Sequence, residues 1–203
     1  MNYITVGRFT LPVDLLAAFA AIFIGAIVYW LKEKKSIGDW YWNSFFIYIA
    51  ISKLSYGLFN FKMFIDNPLS LLYFTGGTNG QILAVAGISL YLFFITRKKD
   101  SGINREEFLP AYLIFFLLYE TVLFAFSENL PAAAVQAALL LGFIFCYFKK
   151  AGLNQQLSIL FLMLEALILS LFSDLLAVEN LLLFALGIIL LLFQRVHKEE
   201  LPS

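Results

Sequence analysis

Three ionisable side chains, Lys53, Glu120 and Glu165, lie inside strongly apolar stretches of this sequence. A charged group in a lipid bilayer is energetically costly, so such residues usually pair, line a polar cavity or carry a function. One lysine and two carboxylates favour an ion pair between Lys53 and one of the two acids. The other acid would then be protonated, hydrogen-bonded or open to water.

Polar neighbours extend this group. Tyr56 and Asn60 follow Lys53 at spacings of three and four residues, so a helix presents the three side chains on one face. Gln136 lies within another apolar stretch. Together these residue types suit the binding of a polar ligand, or acid–base chemistry at a lysine and a glutamate.

The elements that carry these residues are seven apolar segments. The chain has 203 residues, of which 62% are hydrophobic and 14% charged, whereas a soluble domain carries about 25% charged residues. We therefore predict an all-α polytopic membrane protein with one transmembrane domain over residues 1–203. A span needs about 20 apolar residues. The predicted spans cover approximately residues 11–31, 41–60, 81–96, 108–126, 131–148, 154–174 and 180–194.

The distribution of Lys and Arg predicts the orientation. Eleven of the 14 basic residues fall in the first, third and fifth connections and the C-terminal tail, against Arg8 and Lys62 on the other side. Cytoplasmic loops are enriched in Lys and Arg, so the N-terminus is predicted outside and the C-terminus in the cytoplasm. The basic cluster KEKK follows the first span instead of preceding it, which is the wrong order for a signal peptide.

In this orientation the polar groups gather in the outer half of the membrane. Lys53, Glu120, Gln136 and Glu165 lie roughly 8–13 Å below the outer helix ends, at about 1.5 Å per residue. Three interpretations remain open: an interior pair that fixes helix packing, a polar cavity open to the outer leaflet, and an ion or proton pathway. The inner half holds almost no ionisable groups, which disfavours a pathway.

Composition excludes several other classes. One cysteine, Cys146, forbids an intramolecular disulfide, and the single histidine, His197, lies in a polar tail, so no metal site or cofactor is expected. A net charge of zero gives no reason to expect a nucleic acid partner. A glycine-rich segment predicts a flexible outer loop whose backbone N–H groups suit a phosphate. Its glycines are Gly76, Gly77 and Gly80.

The segment KLSYGLFNFKMFIDNPLSLLYFTGG, followed by GQILAVAGISLYLFFITRKK, resembles a known family. It is similar to the second and third helices of prolipoprotein diacylglyceryl transferase, where Arg-x-Gly-Tyr-x-x-Phe-Asn precedes Asn-Pro, a Gly-Gly loop and a helix ending in Arg or Lys. Lys53 stands where the family has Arg. The matching residues are Tyr56, Phe59, Asn60, Asn67, Pro68, Gly76, Gly77 and the run 80–99. Residues 132–174 resemble the family's last helices more loosely, with Gln136 where a Gln-Leu-Tyr-Glu motif ends in Glu.

This resemblance implies a seven-helix fold with an external N-terminus in a bacterial plasma membrane. The family transfers diacylglycerol from phosphatidylglycerol to a lipobox cysteine, so the implied partners are membrane lipids and a lipoprotein or another membrane protein. The sequence departs from the family pattern at the residues that the family uses for its transferase reaction. The loop GGTNGQ lacks the family's His, and the Gly-Arg-x-Gly-Asn-Phe-x-Asn-Gly-Glu signature is reduced to FFLLYETVLF, which retains Glu120. Ile168 and Leu169 replace a later Gly-Arg pair, and a carboxylate repels the phosphate that an Arg would bind.

We therefore expect a diverged, non-catalytic relative of this transferase. Its pocket would open to the outer leaflet and bind a lipid, a lipoprotein or a membrane partner. The expected pocket residues are Lys53, Tyr56, Asn60, Glu120, Gln136 and Glu165. Two alternatives remain: an active diacylglyceryl or acyl transferase that uses a Lys/Glu pair, and a structural subunit of a larger membrane complex.

Overall fold

Helices dominate the computed structural model of the chain, which describes residues 3–6, 9–97, 105–127, 129–149 and 154–200. Four basic residues used in the orientation prediction lie outside the described residues. They are Arg8, Lys98, Lys99 and Lys150.

The chain begins with a short antiparallel hairpin, β1 (Tyr3–Val6) and β2 (Phe9–Pro12), in which Tyr3 pairs with Pro12 and Val6 with Phe9. The helices that follow are α1 (Val13–Glu33), α2 (Asp39–Phe59), α3 (Phe61–Asp66), α4 (Ser70–Tyr73), α5 (Gly77–Arg97), α6 (Phe108–Phe126), α7 (Leu130–Phe148), α8 (Gln155–Phe172) and α9 (Val178–Glu200). A single 3₁₀ turn, Arg105–Glu107, leads into α6. The hairpin was not among the elements predicted from the sequence.

Five helices in the described part of the chain are long and apolar enough to cross a bilayer: α1, α5, α6, α7 and α8. The chain is thus an α-helical multi-pass membrane protein. Helix α9 contributes a shorter apolar segment, Val178–Gln194. Helix α2 has 21 residues, but Asn43, Ser52 and Lys53 make it more polar than those five. The count of seven spans and their orientation stay predictions.

The third span begins earlier than predicted. The sequence indicates a helix over 81–96, whereas α5 starts at Gly77 and ends at Arg97. Gly77 has a left-handed φ of +60°, which glycine adopts without steric cost. Gly80 donates its N–H to the Gly76 carbonyl at 3.2 Å, so it belongs to the first turn of α5 and not to a loop.

The helices form two compact units, each built from two separate stretches of the chain. Unit 1 comprises Met1–Ile37 and Glu106–Leu175, and unit 2 comprises Gly38–Arg105 and Leu176–Ser203. Helices α1, α6, α7 and α8 therefore belong to unit 1, and α2 to α5 and α9 belong to unit 2. The single transmembrane domain expected from composition stays a prediction.

Helix α6 forms the core of unit 1, where it packs against α1, α7 and α8. Most of its side chains are buried, as expected for a helix that is apolar on all sides. The buried face of α1 repeats every four residues with Ala17, Ala21, Gly25 and Tyr29. Small residues at this spacing let two helix backbones approach closely in a membrane.

Asparagine caps fix where α7 and α8 begin. The Asn129 side chain accepts a hydrogen bond from the Ala132 N–H at 3.2 Å, and the Asn154 side chain accepts one from the Leu157 N–H at 2.9 Å. Each cap satisfies a backbone donor that the helix itself leaves without a partner. These starting points set which residues of α7 and α8 face the interior of unit 1.

In unit 2, α5 packs between α2 and α9. Near the start of α5 and α9, Gln81 donates to Glu179 at 3.2 Å, and near their ends the rings of Phe93 and Phe193 lie 6.2 Å apart. These contacts show that α5 and α9 run in parallel. Helix α2 runs antiparallel to α5, because its end contacts the segment that precedes α5 (below).

Candidate functional site

A buried polar pair connects α7 to α8 in unit 1. The Gln136 Nε2 group donates to both carboxylate oxygens of Glu165, at 3.0 Å to Oε1 and 2.8 Å to Oε2. Both residues are 0% exposed. No hydrogen bond from any described residue reaches the Gln136 Oε1 atom. One amide thus serves the whole carboxyl group of Glu165.

Two residues of α6 belong to the same neighbourhood. Glu120 is 3% exposed and lies six residues before the end of α6, while Gln136 lies six residues after the start of α7. Glu165 is seven residues before the end of α8. All three are therefore about 9–11 Å from the same end of unit 1, at 1.5 Å per residue. The buried Tyr112 of α6 interacts electrostatically with both Glu120 and Glu165.

The opposite end of unit 1 carries the basic residues. Lys35 forms an ion pair with Glu107 at 2.6 Å, and the Lys32 ammonium lies 3.9 Å from the centroid of the Tyr147 ring. The hydrogen bond to Glu107 raises the pKa of Lys35. The first and third connections, which the sequence predicts on one side of the membrane, thus meet at one end of this unit, where α7 also ends.

In unit 2, Lys53 and Tyr56 both contact Phe74, which lies just before α5. The Lys53 ammonium donates to the Phe74 carbonyl at 3.4 Å. The ring of the buried Tyr56 stacks on the Phe74 ring, with centroids 5.6 Å apart and planes 23° apart. These two contacts bring the face of α2 predicted from the sequence against the glycine-rich segment.

The glycines of this segment fit closely against two serines of α2. The Gly76 N–H donates to the Ser52 carbonyl at 2.9 Å. A Cβ atom at either Gly76 or Gly80 would collide with the Ser55 hydroxyl. Ser55 is buried and its hydroxyl donates to the Ser52 carbonyl at 2.8 Å. Gly76 and Gly80 thus permit a close approach of two backbones.

The connection from α2 to α5 exposes many large apolar side chains. Helix α3 has no buried residue. More than half of the surface of each of the following side chains is exposed: Phe59, Phe61, Met63, Ile65, Leu69 and Phe74. Exposed apolar residues at this density indicate contact with lipid or with another protein.

The predicted pocket residues therefore fall into two sets. Lys53 and Tyr56 meet at Phe74 in unit 2, and Asn60 lies at the junction of α2 and α3, where its carbonyl accepts from the Phe64 N–H at 2.9 Å. Glu120, Gln136 and Glu165 belong to unit 1. The predicted ion pair between Lys53 and one of the acids stays a prediction.

Several residues of these sites were missed at the sequence level. Tyr112 precedes Glu120 by eight residues, a spacing that places both on a similar face of α6, so a helical projection can identify it. Ser52 and Ser55, which lie close to Lys53 in the sequence, are small residues that pack against Gly76 and Gly80. The Phe74 carbonyl is a backbone group and has no signal in the sequence.

Taken together, the fold and its polar groups define a multi-pass helical membrane protein with one buried polar cluster in unit 1 and one lysine-centred site in unit 2. The described residues contain no group of three or more His, Cys, Asp or Glu side chains that could hold a metal ion. No protein-family model, curated protein or solved structure matches the chain. The function is therefore inferred from the residues themselves.

Proposed function

We propose that this protein binds the headgroup of an anionic phospholipid at Lys53 in unit 2. The observation that carries the proposal is the contact of the Lys53 ammonium with the Phe74 carbonyl at 3.4 Å, at the edge of the glycine-rich segment. An ionisable residue within a membrane helix marks a functional site by default. Lys53 is half-buried and lies six residues from the end of α2, about 9 Å from that end.

The groups around Lys53 suit a phosphate. An ammonium binds a phosphate as a point charge with three rotatable donors. Gly77, Thr78 and Asn79, which follow Phe74 by three to five residues, are exposed and lie in the first turn of α5. The first N–H groups of a helix lack partners within the helix and favour a negative charge. Lys53 and the first turn of α5 therefore both favour a phosphate group.

The apolar surface beside Lys53 suits the acyl chains of the same lipid. Leu54 and Leu58 are on α2 and are 61% and 73% exposed, and Phe74 is 57% exposed. A phospholipid requires a cation for its phosphate next to an apolar surface for its chains. A soluble phosphate ester would make no use of these exposed leucines.

We further propose that the chain is a diverged, non-catalytic relative of the prolipoprotein diacylglyceryl transferases. Its support is the sequence pattern around Lys53, Tyr56 and Asn60 and the absence of the family's His and Arg residues. In this proposal the protein has seven spans, with α2 and α9 among them, an external N-terminus and a bacterial plasma membrane location. The bound lipid would be phosphatidylglycerol.

The test measures lipid retention by the purified full-length protein. The protein is incubated with phosphatidylglycerol or phosphatidylcholine and the bound lipid is counted by native mass spectrometry, for the parent, Lys53→Ala and Lys62→Ala. Lys62 is an exposed lysine on α3 and serves as the matched control. We expect Lys53→Ala to lose the preference for phosphatidylglycerol and Lys62→Ala to keep it.

Two outcomes contradict the proposal. Equal retention of both lipids by the parent removes headgroup recognition, and an unchanged preference in Lys53→Ala removes Lys53 from the site. Consumption of phosphatidylglycerol in the presence of a lipobox peptide would show that the protein is an active transferase and would overturn the non-catalytic assignment.

A further inference from the structure

The pair of Gln136 and Glu165 in unit 1 is buried in an arrangement that a charged carboxylate fits poorly. Both side chains are 0% exposed, and the only described donor to Glu165 is the Gln136 amide. A buried ionised carboxylate requires a cation or several hydrogen bonds, and without them it takes up a proton instead. The described residues supply one neutral amide.

The Gln136 amide provides a second, independent observation. Its Oε1 atom is buried and accepts no hydrogen bond from any described residue. A buried acceptor without a donor costs about 1–3 kcal/mol. Among the described residues, the amide oxygen therefore has no hydrogen-bond donor and the carboxyl group beside it has no counter-charge.

A single proton resolves both deficits. If Glu165 is a carboxylic acid, a reorientation of the Gln136 side chain that turns both amide atoms toward the carboxyl group lets the acid O–H donate to Oε1, while Nε2 donates to the other carboxyl oxygen. This cyclic pair satisfies the polar atoms of both groups and leaves no charge in the interior of unit 1. From α6, the titratable side chain of Tyr112 interacts electrostatically with Glu165 and also with Glu120.

We propose that unit 1 contains a proton-binding site in which Glu165 is held as a neutral carboxylic acid by Gln136. The site is distinct from Lys53 and does not depend on the lipid site proposed above. In this form the bound proton joins α7 to α8, and Glu165→Gln reproduces the neutral state of the acid.

The experiment uses dicyclohexylcarbodiimide, which reacts with protonated carboxyl groups in apolar surroundings. The full-length protein in lipid vesicles is treated at neutral and alkaline pH, and the modified residue is identified by mass spectrometry. The variants are Glu165→Gln, Glu120→Gln and the exposed control Glu106→Gln. We expect modification at Glu165, its loss in Glu165→Gln and at alkaline pH, and its retention in the two other variants.

Three results would overturn the proposal. These are an unmodified Glu165 at every pH, modification that is lost only in Glu120→Gln, and protection by sodium at constant ionic strength, which would identify a cation site. Infrared spectroscopy gives an independent measurement that does not depend on reagent access. The parent should show the carbonyl band of a protonated carboxylic acid, and Glu165→Gln should lack it while remaining folded.

Discussion

The Gln136 amide nitrogen lies 3.0 Å and 2.8 Å from the two carboxyl oxygens of Glu165, and both side chains are completely removed from solvent. The pair connects α7 to α8 at the level where α6 presents Glu120. Polar pairs of this kind specify which helix faces meet, because any other packing leaves polar groups buried without partners.

Replacement of Gln136 by Leu should destabilise unit 1 by about 1–3 kcal/mol, because the buried Glu165 carboxyl group then loses its only described donor. The double variant Gln136→Leu/Glu165→Leu should recover most of this loss, since two apolar side chains leave no polar atom without a partner. The measurement is a double-mutant cycle of unfolding in mild detergent. Additive losses in the two single variants would show that the pair has no coupling energy.

The fit of Gly80 against α2 gives a second prediction. Gly80→Ala should destabilise unit 2 by about 1–3 kcal/mol, because its Cβ collides with the Ser55 hydroxyl. Ser55→Ala should restore the stability of Gly80→Ala. Without the Ser55 hydroxyl, the nearest atoms to a Cβ at position 80 are the Ser52 carbonyl oxygen at 3.4 Å and Ser55 Cβ at 3.5 Å. Thermal unfolding in detergent measures both effects.

Gly76→Ala and Gly142→Ala are the controls for this experiment. Ser55→Ala should not restore the stability of Gly76→Ala, because a Cβ at position 76 also lies 2.8 Å from Ser55 Cβ, which the alanine keeps. A Cβ at Gly142 meets no atom within 4 Å, so Gly142→Ala should be neutral or stabilising by up to about 1 kcal/mol. Equal losses in Gly80→Ala and Gly142→Ala, which are both helix positions, would point to a general effect of alanine and not to the contact with Ser55.

The ion pair of Lys35 with Glu107 should make a small contribution that depends on pH. The pKa of Lys35 is raised from 10.5, first by its hydrogen bond to Glu107. The protonated form is thus favoured in the folded state, so the contribution is complete below pH 10.5 and declines as the pH rises through the folded pKa. The Lys35 side chain is 55% exposed, which limits the contribution to about 0–1 kcal/mol.

The measurement compares the melting temperature of the parent and Lys35→Met across alkaline pH, with Lys34→Met as the neighbouring lysine control. The difference between the parent and Lys35→Met should shrink above the pKa of a free lysine. A difference that is constant with pH would mean that Lys35 acts through its aliphatic chain alone.

The proposed orientation predicts the sidedness of α7. Ser127 precedes this helix and Lys149 follows it, and both are exposed. In a Cys146→Ser background, a membrane-impermeant maleimide should label Ser127→Cys in intact cells and Lys149→Cys only after lysis. Labelling of both sites in intact cells would contradict the span, and the reverse pattern would contradict the orientation.

The helices of unit 1 are the part of the fold that the sequence predicted best. The predicted span 108–126 coincides with α6, and 131–148 differs from α7 by one residue. Continuous apolar runs that end at polar residues such as Ser127 and Lys149 leave little freedom in these boundaries. The start of α5 was predicted four residues too late. Glycines such as Gly77 and Gly80 are typical of turns, whereas here they lie in the first turn of a helix.

The candidate sites were predicted in part. Buried Glu120, Gln136 and Glu165 were identified because polar residues in apolar runs are rare, and the alternation of helix direction predicts that they lie at one level. Sequence cannot show that Lys53 donates to the Phe74 carbonyl, since every residue has such an acceptor. The close contact of Gly80 with Ser55 depends on the separation of two backbones, which only tertiary structure determines.

The division of unit 1 between two distant stretches of chain has a consequence for synthesis at the ribosome. Helix α1 ends at Glu33, and its packing partner α6 begins only at Phe108. During translation the small-residue face around Ala17, Ala21 and Gly25 therefore enters the bilayer well before α6 exists. Until then it must remain against lipid, or be sheltered by the insertion machinery, while the residues of α2 and α5 are made.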